Sequence, residues 1–383
     1  MNPPAPRGFS SIVARIGLRS DSSDFSVIAS DVPAVSSAVF TRSTFAGPSV
    51  VLSRQVAATG SGRAIVTIAQ NANVATGETG AADAREVQAS VAGTLGVDPS
   101  LVFVSSTGVI GRPYPMDLVR ARLDDLPAAS QPADLAAVAR AIMTTDTHPK
   151  IASRPVGDAV ITGIAKGVGM IEPDMATLLT YFVTDADVAP HDLDAAFRAV
   201  VDRTFNAVSV DGDTSTSDSA VILANGLAGP VDLGRFTEAL HEVALDLVKM
   251  VASDGEGASK LLQVDVVDAA STDEARIIAK SVVNSPLVKT AVHGADPNWG
   301  RLAMAVGKTY DSVSLDPEAV RFFFGEVEMS RDSGEQELER ARAELTGDEV
   351  TLRISLGRGD ASFTAYGCDL TYGYIDINAG YTT

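Results

Sequence analysis

Residues 159–183 read AVITGIAKGVGMIEPDMATLLTYFV. Two runs in this stretch are strand-like. Residues 159–164 are rich in β-branched side chains, and residues 175–183 (MATLLTYFV) are almost unbroken apolar sequence with threonines scattered through it. A half-exposed strand alternates; a continuous run of this length reads as a strand covered on both faces. The Gly, Pro and acidic residues between the runs have turn chemistry. A strand covered on both faces needs a layer on each side, which predicts mixed α and β structure in layers. A threonine in such a strand is ordinarily a packing residue, so Thr177 alone carries no function.

Outward from this stretch the mixture repeats. Residues 36–42 (SSAVFTR), 48–53 (PSVVLS), 64–69 (AIVTIA) and 101–105 (LVFVS) read as strands, the last running into a Ser-Thr-Gly turn. Residues 81–95 and 133–142 read as helices. In the second half, residues 193–205, 236–252 and 273–283 read as helices, and 261–268, 350–356 and 361–365 as strands. Residues 325–347 are polar and charged, a surface helix with flanking loop. There is no internal repeat. A smaller α/β unit is expected from about residue 260.

The chain has 383 residues, enough for a large core. Its 49 acidic and 30 basic residues give a formal net charge of −19, a field that repels phosphate backbones and argues against nucleic-acid binding. The one cysteine, Cys368, excludes an internal disulfide framework and fits a buried thiol in a reducing compartment. Residues 1–7 are proline-rich without an apolar segment, and no apolar run approaches the roughly 20 residues of a membrane span. A cytoplasmic protein is expected.

Familiar catalytic patterns fail. Asp211-Gly212-Asp213-Thr214-Ser215 starts like a calcium loop, but Thr216 stands where that loop needs glycine and Ile222 where it needs the bidentate glutamate. Gly167-Val168-Gly169 lacks the third glycine of a dinucleotide fingerprint. The four histidines, at 148, 191, 241 and 293, have no metal-ligand spacing, and no GxSxG elbow occurs.

A set of motifs in fixed order does carry a signal. It comprises SSTGVIGRP (105–113), IMTTDT (142–147), KGVGMIEPDMATLLTYFVTDA (166–186), VDGDTSTSDSAVILANG (210–226), GEGASK (255–260), NSPLVKTAVHGADPNWGRL (284–302) and NAGYTT (378–383). Together these resemble the ornithine acetyltransferase (ArgJ) family over nearly the whole chain. The resemblance implies a layered αββα, N-terminal-nucleophile-like α/β fold with a smaller C-terminal α/β domain. It implies self-cleavage between Ala176 and Thr177, giving chains 1–176 and 177–383 that stay together as α2β2 or a larger oligomer.

The implied chemistry explains why no histidine is needed. A threonine hydroxyl is a weak nucleophile until a base takes its proton. Cleavage gives Thr177 an α-amine of ordinary pKa about 7.7–8, so nucleophile and base sit on one residue. The resemblance assigns acetyl transfer from N-acetylornithine to glutamate through acetyl-Thr177, without metal, cofactor or acetyl-CoA. It places oxyanion donors at the Thr107 hydroxyl and the Gly108 N–H, and substrate contacts at Thr145, Lys166, Thr177, Glu256, Asn378 and Thr383. Lys166 then pairs with a substrate carboxylate and Glu256 with an amino group. Without the resemblance these two are a solvated charge and a loop acid, and the C-terminus a frayed tail.

The chain departs from the family where Ile68-Ala69-Gln70-Asn71-Ala72-Asn73 replaces the common NSGNAN, and where Glu172 and Asp174 make the cleavage segment more acidic. With the 291–308 and 363–370 segments, these features look most like the paralogue found with clavulanic acid biosynthesis, so the pathway, arginine or secondary metabolite, stays open. Two rivals remain: a self-processing aminopeptidase or amidase in which water resolves the acyl-enzyme, and an uncleaved binding protein on the same scaffold.

Overall fold

The computed structural model describes residues 5–172 and 178–380. The chain divides into two compact units. The first takes in residues up to Asn206 together with Asp213–Leu247, and the second takes in Ala207–Gly212 and Val248–Tyr381. The longer segment of the second unit begins within a long helix, at Val248.

The first unit is built on eight strands: β1 (Phe9–Ala14), β2 (Phe25–Phe40), β3 (Ser61–Ile68), β4 (Val102–Ser106), β5 (Lys150–Val156), β6 (Ala159–Lys166), β7 (Leu179–Asp187) and β8 (Ser219–Pro230). Its helices are α1 (Pro48–Ala57), α2 (Gly77–Leu95), α3 (Met116–Leu123), α4 (Leu135–Ala141), α5 (Pro190–Arg203) and the start of α6 (Leu233–Ser253). The strands hydrogen-bond in the order β4-β3-β2-β8-β7-β6-β5, with β1 beside β2. Strand β2 makes this one network serve as two layers. Its pairing with β3 jumps in register between Ala29 and Ala34, and its second half passes to β8. A bulge of this kind bends a strand. The two halves then face each other: Ile28, Ile65 and Phe103 pack with Tyr181, Val183, Val221 and Leu223, and the Thr67 and Tyr181 hydroxyls meet at 2.9 Å across the gap.

Helices cover the outer faces. Val87, Val91 and Ala92 of α2 and Val119 of α3 pack on Val27, Val66 and Val104. On the other side Phe182 meets Phe197 of α5 edge-on at 5.7 Å. A Cβ on Gly163 in β6 would run into Val243 and Leu247 of α6 at 2.9 Å, so the helix lies directly on that strand. The result is the expected αββα layering. Strand β7 is covered on both faces, as its unbroken apolar sequence requires: residues 179–186 are all buried.

The second unit has a five-stranded sheet, ordered β11-β10-β12-β9-β13 from β9 (Leu261–Ala269), β10 (Arg321–Phe324), β11 (Val327–Met329), β12 (Glu349–Ser355) and β13 (Ala361–Cys368). Its helices after α6 are α7 (Thr272–Val283), α8 (Pro286–His293), α9 (Trp299–Gly307), α10 (Glu335–Glu344) and α11 (Tyr372–Gly380).

One sequence expectation is wrong in kind. Residues 48–53 are helix, not strand. Pro48 occupies the first helical turn after an extended Gly47, and Ser49, Val50, Ser53 and Val56 fall on one buried face at helical spacing. The polar 325–347 stretch does contain a helix, α10, but begins in the β10–β11 hairpin. Residues 372–380 are helical rather than frayed. Cys368 is buried, as expected. Among the described residues no helix is long and apolar enough to cross a membrane.

Candidate active site

At the end of β4 the chain turns through Thr107 and Gly108. The Thr107 N–H donates to the Ile68 carbonyl at the end of the neighbouring β3, at 3.1 Å. Gly108 has φ +129, and a Cβ there would lie 2.2 Å from the Gln70 carbonyl carbon and 2.6 Å from the Asn71 nitrogen. Only glycine fits, so the turn is seated directly on the 70–71 backbone.

Lys166 is the last residue of β6 and faces Leu179, the first of β7, across the antiparallel ladder. It is a lysine at 4% exposure, not the solvated charge that its sequence alone suggests. Its Nζ donates to Thr107 Oγ1 at 3.0 Å. An oxygen that accepts from an ammonium keeps its own proton for a second partner and becomes a stronger donor. Thr107 is itself buried, and its hydroxyl can donate to a second acceptor.

Two buried carboxyls flank Lys166 electrostatically, with opposite outcomes. Burial raises the Asp146 pKa, but Lys166, Lys150 and its hydrogen bonds outweigh it and hold the carboxyl below its ordinary value. Asp146 Oδ1 accepts from Lys150 Nζ at 2.7 Å and from the Gly167 N–H at 2.7 Å, and Oδ2 accepts from the Thr144 N–H at 3.1 Å. This carboxylate ties the 142–147 segment, with half-buried Thr145, to the end of β6. Asp218, just before β8, behaves otherwise. Full burial pushes its pKa well above the usual range, opposed by the Leu178 N–H and Lys166. Neither aspartate was singled out from the sequence; an acid placed one residue before a buried strand was the available sign for Asp218. Tyr181, four positions after Thr177, is buried with its phenol pushed up to about 12, which keeps it neutral.

Thr107, Gly108, Lys166 and the Thr145 segment are therefore brought together in the first unit. Glu256 and Asn378 belong to the second, where Asn378 Nδ2 donates to Glu256 Oε2 at 2.9 Å. Ala176, Thr177 and Thr383 lie outside the described residues. Among the described residues no cluster of three or more His, Cys, Asp or Glu side chains could hold a metal ion.

The fold defines a layered αββα protein joined to a second, smaller α/β unit. Within that class the chain belongs to the ArgJ family, whose pattern matches residues 10–383. It is 56% identical to the glutamate N-acetyltransferase Oat2 of Streptomyces clavuligerus, across 100% of this chain and 99% of that one. It is 50% identical to the arginine biosynthesis bifunctional protein ArgJ of Rhodococcoides fascians, across 100% and 96%. The crystal structure of ArgJ from Bacillus halodurans matches 51% of this chain and 96% of its own, with 41% identity and a TM-score of 0.49.

Proposed function

We propose that this chain is a self-cleaving acetyltransferase that moves acetyl from N-acetylornithine to glutamate. The observation that carries the reading is the hydrogen bond from Lys166 to Thr107, held at the point where β6 meets the start of β7. Strand β7 begins two residues after Thr177 in sequence, and the Lys166 that prepares the hydroxyl pairs with the first residue of that strand.

In this reading Thr177 Oγ attacks the acetyl carbonyl, and its own α-amine takes the proton. The carbonyl electrons move onto oxygen, where Thr107 Oγ and the Gly108 N–H receive them; losing one such donor typically costs about 2.7–4 kcal/mol. Collapse expels ornithine, which takes the proton. Glutamate then attacks the acetyl-threonine and leaves as N-acetylglutamate, returning the hydroxyl. Thr145, Lys166, Glu256, Asn378 and Thr383 hold the amino-acid portions. The pathway served is arginine or clavulanic-acid-type biosynthesis, the compartment the cytoplasm, and the assembly α2β2 or larger from the two cleaved chains.

Intact mass under denaturing conditions, for wild type beside Thr177→Ala, tests the reading. Two wild-type chains of 176 residues (one fewer without Met1) and 207 residues, and an uncut variant, are expected. Formation of N-acetylglutamate from N-acetylornithine then separates transfer from the hydrolysis of an amidase. A wild-type chain that stays at 39.7 kDa overturns the mechanism.

A further inference from the structure

We propose that Gln70 is a positioning residue for acetyl transfer, fixing the oxyanion turn against the 142–147 segment. The inference rests on the assignment of Thr107 and Gly108 as oxyanion donors.

Gln70 touches both sides of the site with different parts of itself. Its backbone is the seat of the turn: Gly108 lies against the Gln70 carbonyl group, and the Val109 N–H donates to Gln70 O at 3.3 Å. Its side chain reaches the other wall, where Nε2 donates to the Met143 carbonyl at 3.1 Å. Met143 is two residues before Thr145. The next carbonyl, of Thr144, is held by the Arg19 guanidinium at 2.7 Å. From there the connections close into a ring: Asp146 to the Gly167 N–H, Lys166 to Thr107, Thr107 to Gly108, and Gly108 back to Gln70.

The conformation of Gln70 shows what the side chain is for. Its φ is +75, in the left-handed region where a residue with a Cβ is strained and glycine is not. Such a residue persists where its surroundings require it: the backbone seats the Gly108 turn, and among the described residues the side chain bonds to the Met143 carbonyl. The ring includes both proposed donors, the Thr107 hydroxyl and the Gly108 N–H. The Met143 bond is its one link made by a side chain whose removal would also relax the backbone.

Substitution by glycine therefore separates positioning from stability. Gln70→Gly loses one hydrogen bond and gains a relaxed φ, opposing effects of similar size. Gln70→Glu keeps the shape, but its carboxylate cannot donate to Met143 O. The experiment uses the full-length protein after self-cleavage, with Thr107→Ala as control. It measures thermal midpoint, kcat, and KM for glutamate. Both Gln70 variants are expected to hold their midpoint within about 2 °C of wild type. Their kcat should fall roughly 10-fold or more while KM for glutamate moves little, since small misplacements of positioned groups cost rate steeply. Wild-type kcat in both, beside a slowed Thr107→Ala, overturns the role of Gln70 alone. An unslowed Thr107→Ala overturns the oxyanion assignment and this inference with it. A fall in kcat that only tracks a falling midpoint in both variants reduces Gln70 to a structural residue.

Discussion

The Leu178 N–H donates to Asp218 Oδ1 at 2.5 Å, while the other oxygen of that fully buried carboxyl has no hydrogen-bond partner among the described residues. The same strand ends are joined again by the Ser219 N–H on the Leu178 carbonyl at 3.1 Å. The residue that follows Thr177 is thus clamped on both backbone groups by residues 218–219.

That clamp has a pH signature. Burial raises the Asp218 pKa above its unfolded value, so the folded state holds the proton more tightly. The stabilisation is complete below the unfolded carboxylate range and is lost as pH rises through the folded pKa. Asp218→Asn keeps an acceptor for Leu178 and cannot ionise. Thermal midpoints of the two proteins should converge, and then cross, as pH is raised from 5 to 9. Curves that stay parallel would sink the idea. Asp218→Ala strands a buried N–H and should cost about 1–3 kcal/mol relative to Asp218→Asn at every pH.

Gly108→Ala places a Cβ inside the Gln70 carbonyl group at a backbone angle that alanine resists. The turn must lift from its seat, carrying the Thr107 hydroxyl with it. We expect kcat to fall by about 100-fold or more, the scale of one lost oxyanion donor. Steady-state kinetics with N-acetylornithine and glutamate would check this, and a kcat within a factor of three of wild type would contradict it.

The Lys150–Asp146 pair is buried on both sides, 0% exposed. Removing one partner of such a pair ordinarily costs about 3–5 kcal/mol. Lys150→Met should fall at the low end, because Lys166 still favours the Asp146 charge. Asp146 is held below its ordinary pKa, so its contribution is present above the unfolded value and is lost as pH falls through the folded one. Weakening the cationic surroundings raises the folded pKa, so in acid the folded variant takes up a proton that relieves its unpaired carboxylate. Urea unfolding at pH 7 and pH 4.5 should show a deficit against wild type that is smaller in acid.

How much of this was legible beforehand depends on what kind of signal each residue gives. The buried strand β7 announces itself by unbroken apolar sequence, and the turn after β4 by Ser-Thr-Gly. Helix α1 does not, because Pro-Ser-Val-Val is locally as strand-like as helical and is settled by which face meets the sheet. The two-layer arrangement depends on a register shift within β2 that no periodicity records. Lys166 reads as solvated until its strand is placed against β7. Gln70 shows in the sequence only as part of the segment that replaces the common NSGNAN, since its importance lies in one backbone angle and one long-range hydrogen bond.

Glu256 offers the last test, in the second unit. Its Oε2 accepts from Asn378 Nδ2, and Asn378 in turn donates to Tyr374 O at 3.0 Å, within α11. Glu256→Gln can still accept from Asn378 through its amide oxygen, so the local fold should survive. What it loses is the negative charge that the proposed function sets against a substrate amino group. A charged hydrogen bond is worth about 1.5–3 kcal/mol, which sets the expected rise in KM for N-acetylornithine at roughly 10- to 100-fold. Self-cleavage should proceed as in wild type, because that step contains no ornithine. A variant that fails to cleave, or that cleaves and keeps a wild-type KM, would show that Glu256 serves the structure of its own loop and not the substrate.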